Sequence, residues 1–135
     1  MMTIQELYQM IDGDYDQAIR VLRVDKLIDK HIRKFAQNGV VEELLSAGDK
    51  LYGTAGIDTT ELFETAHAVK GVTANLGLMK LSEAASEICE EFRPDNMQKV
   101  ERKLTDAEIK DRLQAIREMY SRTVEGIHKY EASCE

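Results

Sequence analysis

Tryptophan is absent from this 135-residue chain, proline occurs once, at Pro94, and cysteine twice, at Cys89 and Cys134. Two cysteines are too few for a disulfide scaffold and fit a reducing compartment, so a cytoplasmic location is expected. No run of about 18 apolar residues exists, which excludes a membrane-spanning helix. The opening stretch MMTIQELYQMIDGD has neither a basic n-region nor an apolar h-region, so it is not read as a secretory signal. Positive charge is also short: 18 Lys and Arg stand against 25 Asp and Glu, a net of -7. Neutralising phosphates needs a basic face, so nucleic acid is not expected as a partner. An anionic membrane surface is excluded on the same ground.

What the chain does have is helical periodicity. Alternation of β-branched and polar residues is hard to find, whereas apolar residues recur at three- and four-residue spacing over long stretches. A short helix is expected over 3–11, with Ile4, Leu7, Tyr8 and Ile11 on one face and Asp12-Gly13-Asp14 as its breaker. A second begins near Asp14 and carries Ala18, Ile19 and Leu22. The next starts near Asp25, with Leu27, Ile28, Ile32 and Phe35 inward. Val40, Val41, Leu44, Leu45 and Leu51 continue its spacing beyond Asn38-Gly39, which is compatible with one long kinked helix or with two. Gly53 to Gly56 reads as a loop, and Asp58 with Glu61 as a capping box. The helix that follows places Leu62, Ala66, Val69, Thr73 and Leu76 on one stripe and ends at Gly77, a left-handed cap. Leu81, Ala84, Ala85, Ile88 and Phe92 mark a further helix, stopped by Pro94. After a polar connection over 94–103, Thr105 and Glu108 form another capping box. The last helix then carries Ile109, Leu113, Ile116, Tyr120, Val124 and Ile127. The expected fold is all-α: an up-and-down four-helix bundle with additional short N-terminal helices. Residues 1–135 are read as a single domain with the bundle core at about 14–131, and the length suits one core.

Three histidines are candidates for chemistry. His31, within Lys30-His31-Ile32-Arg33-Lys34, reads as a solvated face residue. His128 sits in the last turns of the final helix, where a cation is mildly favoured by the helix dipole. His67 differs through its neighbours. It lies about 100° around the helix from Ala66, at or beyond the edge of the apolar stripe. Lys70 and Gly71 follow three and four residues later, so all three share a face. A glycine inside a helix costs about 1 kcal/mol relative to alanine. One turn from a histidine, it removes the side chain that would shield the imidazole. Tight packing against a neighbouring helix is the competing explanation of Gly71.

The string His67-Ala68-Val69-Lys70-Gly71, followed by Asn75-Leu76-Gly77, resembles the signature of histidine-containing phosphotransfer (HPt) domains. That resemblance implies a phosphorelay intermediate. His67 would accept a phosphoryl group from the aspartyl phosphate of a response-regulator receiver domain and pass it to another receiver. Lys70 would stabilise charge on the phosphoryl oxygens, and Gly71 would give the receiver access. It implies as partners receiver domains or a histidine kinase of a two-component system, with the chain itself a monomer. The chemistry is compatible: imidazole has an ordinary pKa of about 6.5 and is a nucleophile near neutrality without an adjacent base. The family often places a Glu or Gln on the following helix to orient the imidazole. That place falls near Cys89 here, with Ser86, Glu87 and Glu90 as nearby polar residues, so a different orienting contact, or none, is expected. Cys89 itself, four residues after Ala85, is expected to line the edge of the core.

No H-E-x-x-H, C-x-x-C or clustered His/Cys set suggests a metal, and no Gly-rich phosphate loop follows a strand. No cofactor and no nucleotide site are therefore expected, and the chain reads as a carrier rather than an enzyme. The alternative is a helical adaptor that binds receivers or other signalling domains without accepting phosphate.

Overall fold

The computed structural model describes residues 1–53, 59–94 and 103–135. Among the described residues there are seven helices and no strand: α1 (Ile4–Met10), α2 (Tyr15–Leu22), α3 (Asp25–Phe35), α4 (Val40–Gly53), α5 (Thr59–Asn75), α6 (Met79–Glu91) and α7 (Asp106–Ser133).

Their ends follow from local chemistry. Thr3 Oγ1 accepts from the Glu6 amide and the Glu6 carboxylate accepts from the Thr3 amide, closing a capping box on α1; Thr105 and Glu108 do the same for α7. Asp14 accepts from the Gln17 amide at 3.0 Å and starts α2. The Asn38-Gly39 question resolves into two helices. Gly39 takes φ +74°, a left-handed conformation that ends the helical path, and the Asn38 carboxamide accepts from the Val40 amide at 3.0 Å to start α4. Helix α6 stops at Glu91, three residues before Pro94. The side chain of Leu51, the loop after Gly53, the Asp58 half of its capping box and most of the connection before Lys103 lie outside the described residues.

Helix α5 packs between α4 and α6, and α7 packs on both α4 and α6. Leu44, Leu62, Ala66, Val69, Ile88, Ile109 and Ile116 are fully buried among these four elements. Phe35 of α3 meets Tyr120 of α7 edge to face, with centroids 5.5 Å apart. The Tyr120 hydroxyl donates to Glu42 at 2.7 Å and ties α7 to α4. Burial and that carboxylate hold its pKa well above the ordinary phenol value. The buried Glu91 carboxylate accepts the Lys103 and Leu104 amides, each at 3.2 Å, and anchors the chain entering α7.

One core expectation is corrected. Leu27 is 39% exposed rather than inward. The inward stripe of α3 is Ile28, Ile32 and Phe35, and Leu27 lies one residue, about 100°, around from it. On α7, Val124 is partly buried and packs against the core, and the neighbouring Thr123 is buried as well. Its hydroxyl donates to the Met119 carbonyl at 2.8 Å, which lets a polar residue occupy a core position.

The C-terminal end of α5 is the most heavily tied part of the frame. Gly77 has φ +71°, and the Leu78 amide donates to the Thr73 carbonyl at 2.9 Å, the six-residue bond of a Schellman turn. The Gly77 carbonyl then accepts from the Asp14 amide at 2.7 Å, and the Leu76 carbonyl accepts from the buried Tyr8 hydroxyl at 2.6 Å. A Cβ on residue 77 would stand 2.1 Å from the Asp14 carbonyl oxygen, a backbone atom that cannot step aside. Gly77→Ala is therefore expected to lose at least about 2 kcal/mol of stability from left-handed strain and this clash. Urea unfolding measures it, and a variant as stable as the parent would show that this turn does not brace α5.

Candidate functional site

The four buried positions of α5, Leu62, Ala66, Val69 and Thr73, turn the opposite stripe to solvent. His67, Ala68, Gly71 and Asn75 are exposed on it, and Lys70 is half-buried beside them. The structure thus brings the three expected site residues onto one face, two of them exposed. Nothing lies within 4 Å of where a Cβ on Gly71 would stand. The packing explanation of Gly71 fails on that observation.

The imidazole is held from two sides. Phe63, one turn earlier, stacks on the ring with centroids 6.0 Å apart and planes 23° from parallel. From α6, Cys89 brings its sulfur to 3.8 Å from His67 Nδ1. Cys89 is fully buried, in keeping with its expected place at the core edge, and its contact with the imidazole is one that sequence spacing did not specify. The two nearby carboxylates of α6 are engaged elsewhere. Glu87 pairs with Arg112 at 2.7 Å, and Glu90 accepts from the Arg93 guanidinium. Arg93 also lies over the Phe63 ring, 6.0 Å from its centroid, so the aromatic wall of the site is backed by a cation.

Lys70 contributes charge without a partner: among the described residues its ammonium makes no ion pair. Its backbone carbonyl accepts from the buried Ser82 hydroxyl at 3.1 Å, which fixes this turn of α5 against α6. The Lys70 charge reaches the neighbourhood of the imidazole. Burial pushes the Cys89 thiol pKa up, and Lys70 with Arg93 opposes that rise. Glu90 is held below the usual carboxylate range, first by its bond from Arg93 and further by the charges of Arg93 and Lys70.

The other histidines stand apart. His31 is half-buried rather than fully solvated and lines a shallow hollow with Leu22, Lys34, Asn38, Val72, Asn75 and Leu76. His128 is exposed on α7. Among the described residues, no three His, Cys, Asp or Glu side chains come together as a metal site would need, and no helix is long and apolar enough to cross a membrane.

An exposed nucleophile, an unpaired cation one turn away and an open backbone position together form a surface on which a bulky partner can present an electrophile. The arrangement suits transfer between macromolecules better than capture of a small substrate in a pocket.

Gly71→Ala is expected to raise stability by about 0.5–1 kcal/mol, because the site is open and the helix loses an entropic penalty. Gly71→Gln is expected to leave the melting temperature unchanged or slightly raised while obstructing access to His67. A large fall in melting temperature would mean that residue 71 faces a neighbouring helix.

Residues 28–119 match the sequence model of the family described as Hpt domain, more than half of the chain. Comparison with curated proteins gives no significant match, and neither does comparison with solved structures.

Proposed function

The chain belongs to the Hpt domain family, whose members carry phosphoryl groups between the proteins of two-component systems, and on that footing we propose that it is a phosphorelay intermediate whose acceptor is His67. It takes a phosphoryl group from the aspartyl phosphate of one receiver domain and hands it to another. The observation that carries this reading is the face of α5 itself: His67 exposed, Gly71 open and Lys70 without an ion pair among the described residues, all within one turn.

In the transfer, an unprotonated ring nitrogen of His67 attacks phosphorus. An N–P bond forms, the P–O bond to the aspartyl carboxylate breaks, and the carboxylate departs with the electron pair. Lys70 balances charge on the phosphoryl oxygens as they pass. Gly71 lets the receiver bring its aspartyl phosphate in line with the ring at close range. This step needs no nucleotide site, because the work of activating the phosphoryl group belongs to the donor. The fold reading that goes with this role is a monomeric, single-domain protein of the cytoplasm, with α4 to α7 as an up-and-down four-helix bundle and the shorter N-terminal helices as its brace.

Incubation with a phosphorylated receiver domain tests the proposal. The parent chain is expected to gain an acid-labile, alkali-stable phosphate. His67→Gln is expected to remain folded and gain none, while variants at His31 and His128 label normally. A chain that binds receivers yet never labels would be the silent adaptor instead. Labelling that survives in His67→Gln but is lost in a His31 or His128 variant would move the site.

Lys70→Ala is expected to slow transfer by roughly tenfold or more, the scale of losing a charge-assisted hydrogen bond. Receiver affinity should change little, because the charge acts mainly while the phosphoryl group is in flight. Single-turnover transfer rates beside binding isotherms separate the two, and an unchanged rate would reduce Lys70 to a surface residue.

A further inference from the structure

The hollow beside His31 has a composition unlike the rest of the surface. Leu76 and Val72 of α5 and Leu22 of α2 give it an apolar floor, and the more exposed Lys34, Asn38 and Asn75 join the half-buried His31 around it. It encloses about 230 Å³, less than the roughly 300–1,000 Å³ that takes a drug-sized molecule, so its occupant is small. Each polar side chain that lines it can donate a hydrogen bond, and none is an acid, in a chain where 25 acids outnumber 18 bases. Among the described residues Lys34 makes no ion pair, and the side chains of His31 and Asn75 make no hydrogen bond. The Asn38 carboxamide oxygen is taken by the Val40 amide, which leaves its NH2 group to donate.

We propose that this hollow binds a small organic acid, with a compact apolar body on Leu22, Val72 and Leu76 and an anionic head on Lys34, His31 and the two amides, and that the occupant competes with a receiver domain for the face of α5. The binding site stands on the hollow alone; the competition rests on His67 as the acceptor. Charge complementarity selects the head: an ammonium without an internal partner, surrounded by donors, leaves an acceptor of negative charge as the group it fits. The floor selects the body. A bare inorganic anion gains nothing from three apolar side chains, and a neutral apolar molecule leaves the cation unused.

The competition follows from where the hollow lies. Asn75 is exposed on the same side of α5 as His67 and Gly71, eight residues beyond His67, which is about 12 Å along the helix axis. A protein interface of ordinary size covers about 800 Å² of each partner, a patch of roughly 16 Å radius. A receiver centred on His67 therefore covers the hollow, and a molecule seated there stands in its way.

Titration with benzoate, followed by amide nitrogen-15 NMR, tests the site without a receiver. Shifts are expected to centre on Leu22, His31, Val72 and Asn75. Acetate lacks the body and benzamide lacks the charge, and each is expected to bind at least about tenfold more weakly. Lys34→Met, a change at an exposed position, is expected to weaken benzoate by about tenfold, the scale of one charged hydrogen bond. Phenyl phosphate run in parallel tells a phosphate head from a carboxylate by which of the two binds tighter. With a phosphorylated receiver present, benzoate is expected to slow phosphate uptake in proportion to occupancy, and Lys34→Met to need about tenfold more benzoate for the same slowing. Benzoate that binds no better than acetate or benzamide, or shifts residues outside the hollow, would overturn the site. Binding that leaves uptake at its full rate would overturn the competition and leave the site standing. A chain that binds benzoate but takes no phosphate even in its absence would refute the carrier reading instead.

Discussion

The geometry of the site depends on one constraint: α5 must bury a full apolar stripe on two neighbours while keeping a reactive side chain about 100° away from that stripe. Ala66 and Val69 are fully buried between α4 and α6, and His67, one residue from Ala66, is exposed. The imidazole therefore sits on a helix that cannot rotate without pulling its own core apart. A rotation by one residue would bring His67 to the place of Ala66, among fully buried apolar side chains, where a polar ring without partners is disfavoured by several kcal/mol. The packing of the interior fixes the direction of the imidazole.

The N-terminal helices add a second restraint at the end of α5 where the helix would otherwise fray. Tyr8 of α1 and the backbone of Asp14, just before α2, bond to the Leu76 and Gly77 carbonyls. Each satisfies a helix-end carbonyl that has no intrahelical partner. Ser82 on α6 adds a tie within the helix itself, donating to the Lys70 carbonyl beside the site. A nucleophile that must meet an electrophile carried by another protein gains from such rigidity, because misplacement by about 1 Å is enough to slow a transfer severely.

Much of this was legible in the sequence because helices and their caps are local. The left-handed cap at Gly77, the box at Thr105 and Glu108 and the stripe Leu62, Ala66, Val69, Thr73 depend on residues a few positions apart, and the structure reproduces each. The same counting put His67, Lys70 and Gly71 on one face but left open whether Gly71 packs against a neighbouring helix, and the structure decides that in favour of exposure. What resisted reading was set between helices. Leu27 has the right character for the core and sits at the wrong angle, since the choice between adjacent stripes on α3 belongs to its neighbours. Whether Asn38-Gly39 kinked a helix or divided two turned on a single backbone dihedral. Cys89 could be placed at the core edge by its distance from Ala85, but its approach to Nδ1 depends on the packing of α5 on α6, which no spacing within α6 encodes.

The ion pairs on the α6 side of His67 are unevenly shared. With a net of -7, the protein repels a phosphorylated partner at long range, yet at physiological salt such repulsion fades within about 8 Å. At docking distance the nearer groups matter more. Glu87 is neutralised by Arg112 and Glu90 by Arg93, while Lys70 makes no ion pair among the described residues. The two acids of α6 are thus engaged and the lysine of α5 is not. Stability alone gives no reason for that arrangement, because exposed ion pairs are worth little and an added partner for Lys70 would stabilise the fold only slightly. A phosphoryl group in transit, with charge spread over three oxygens, gives one: it needs a cation that is not already engaged.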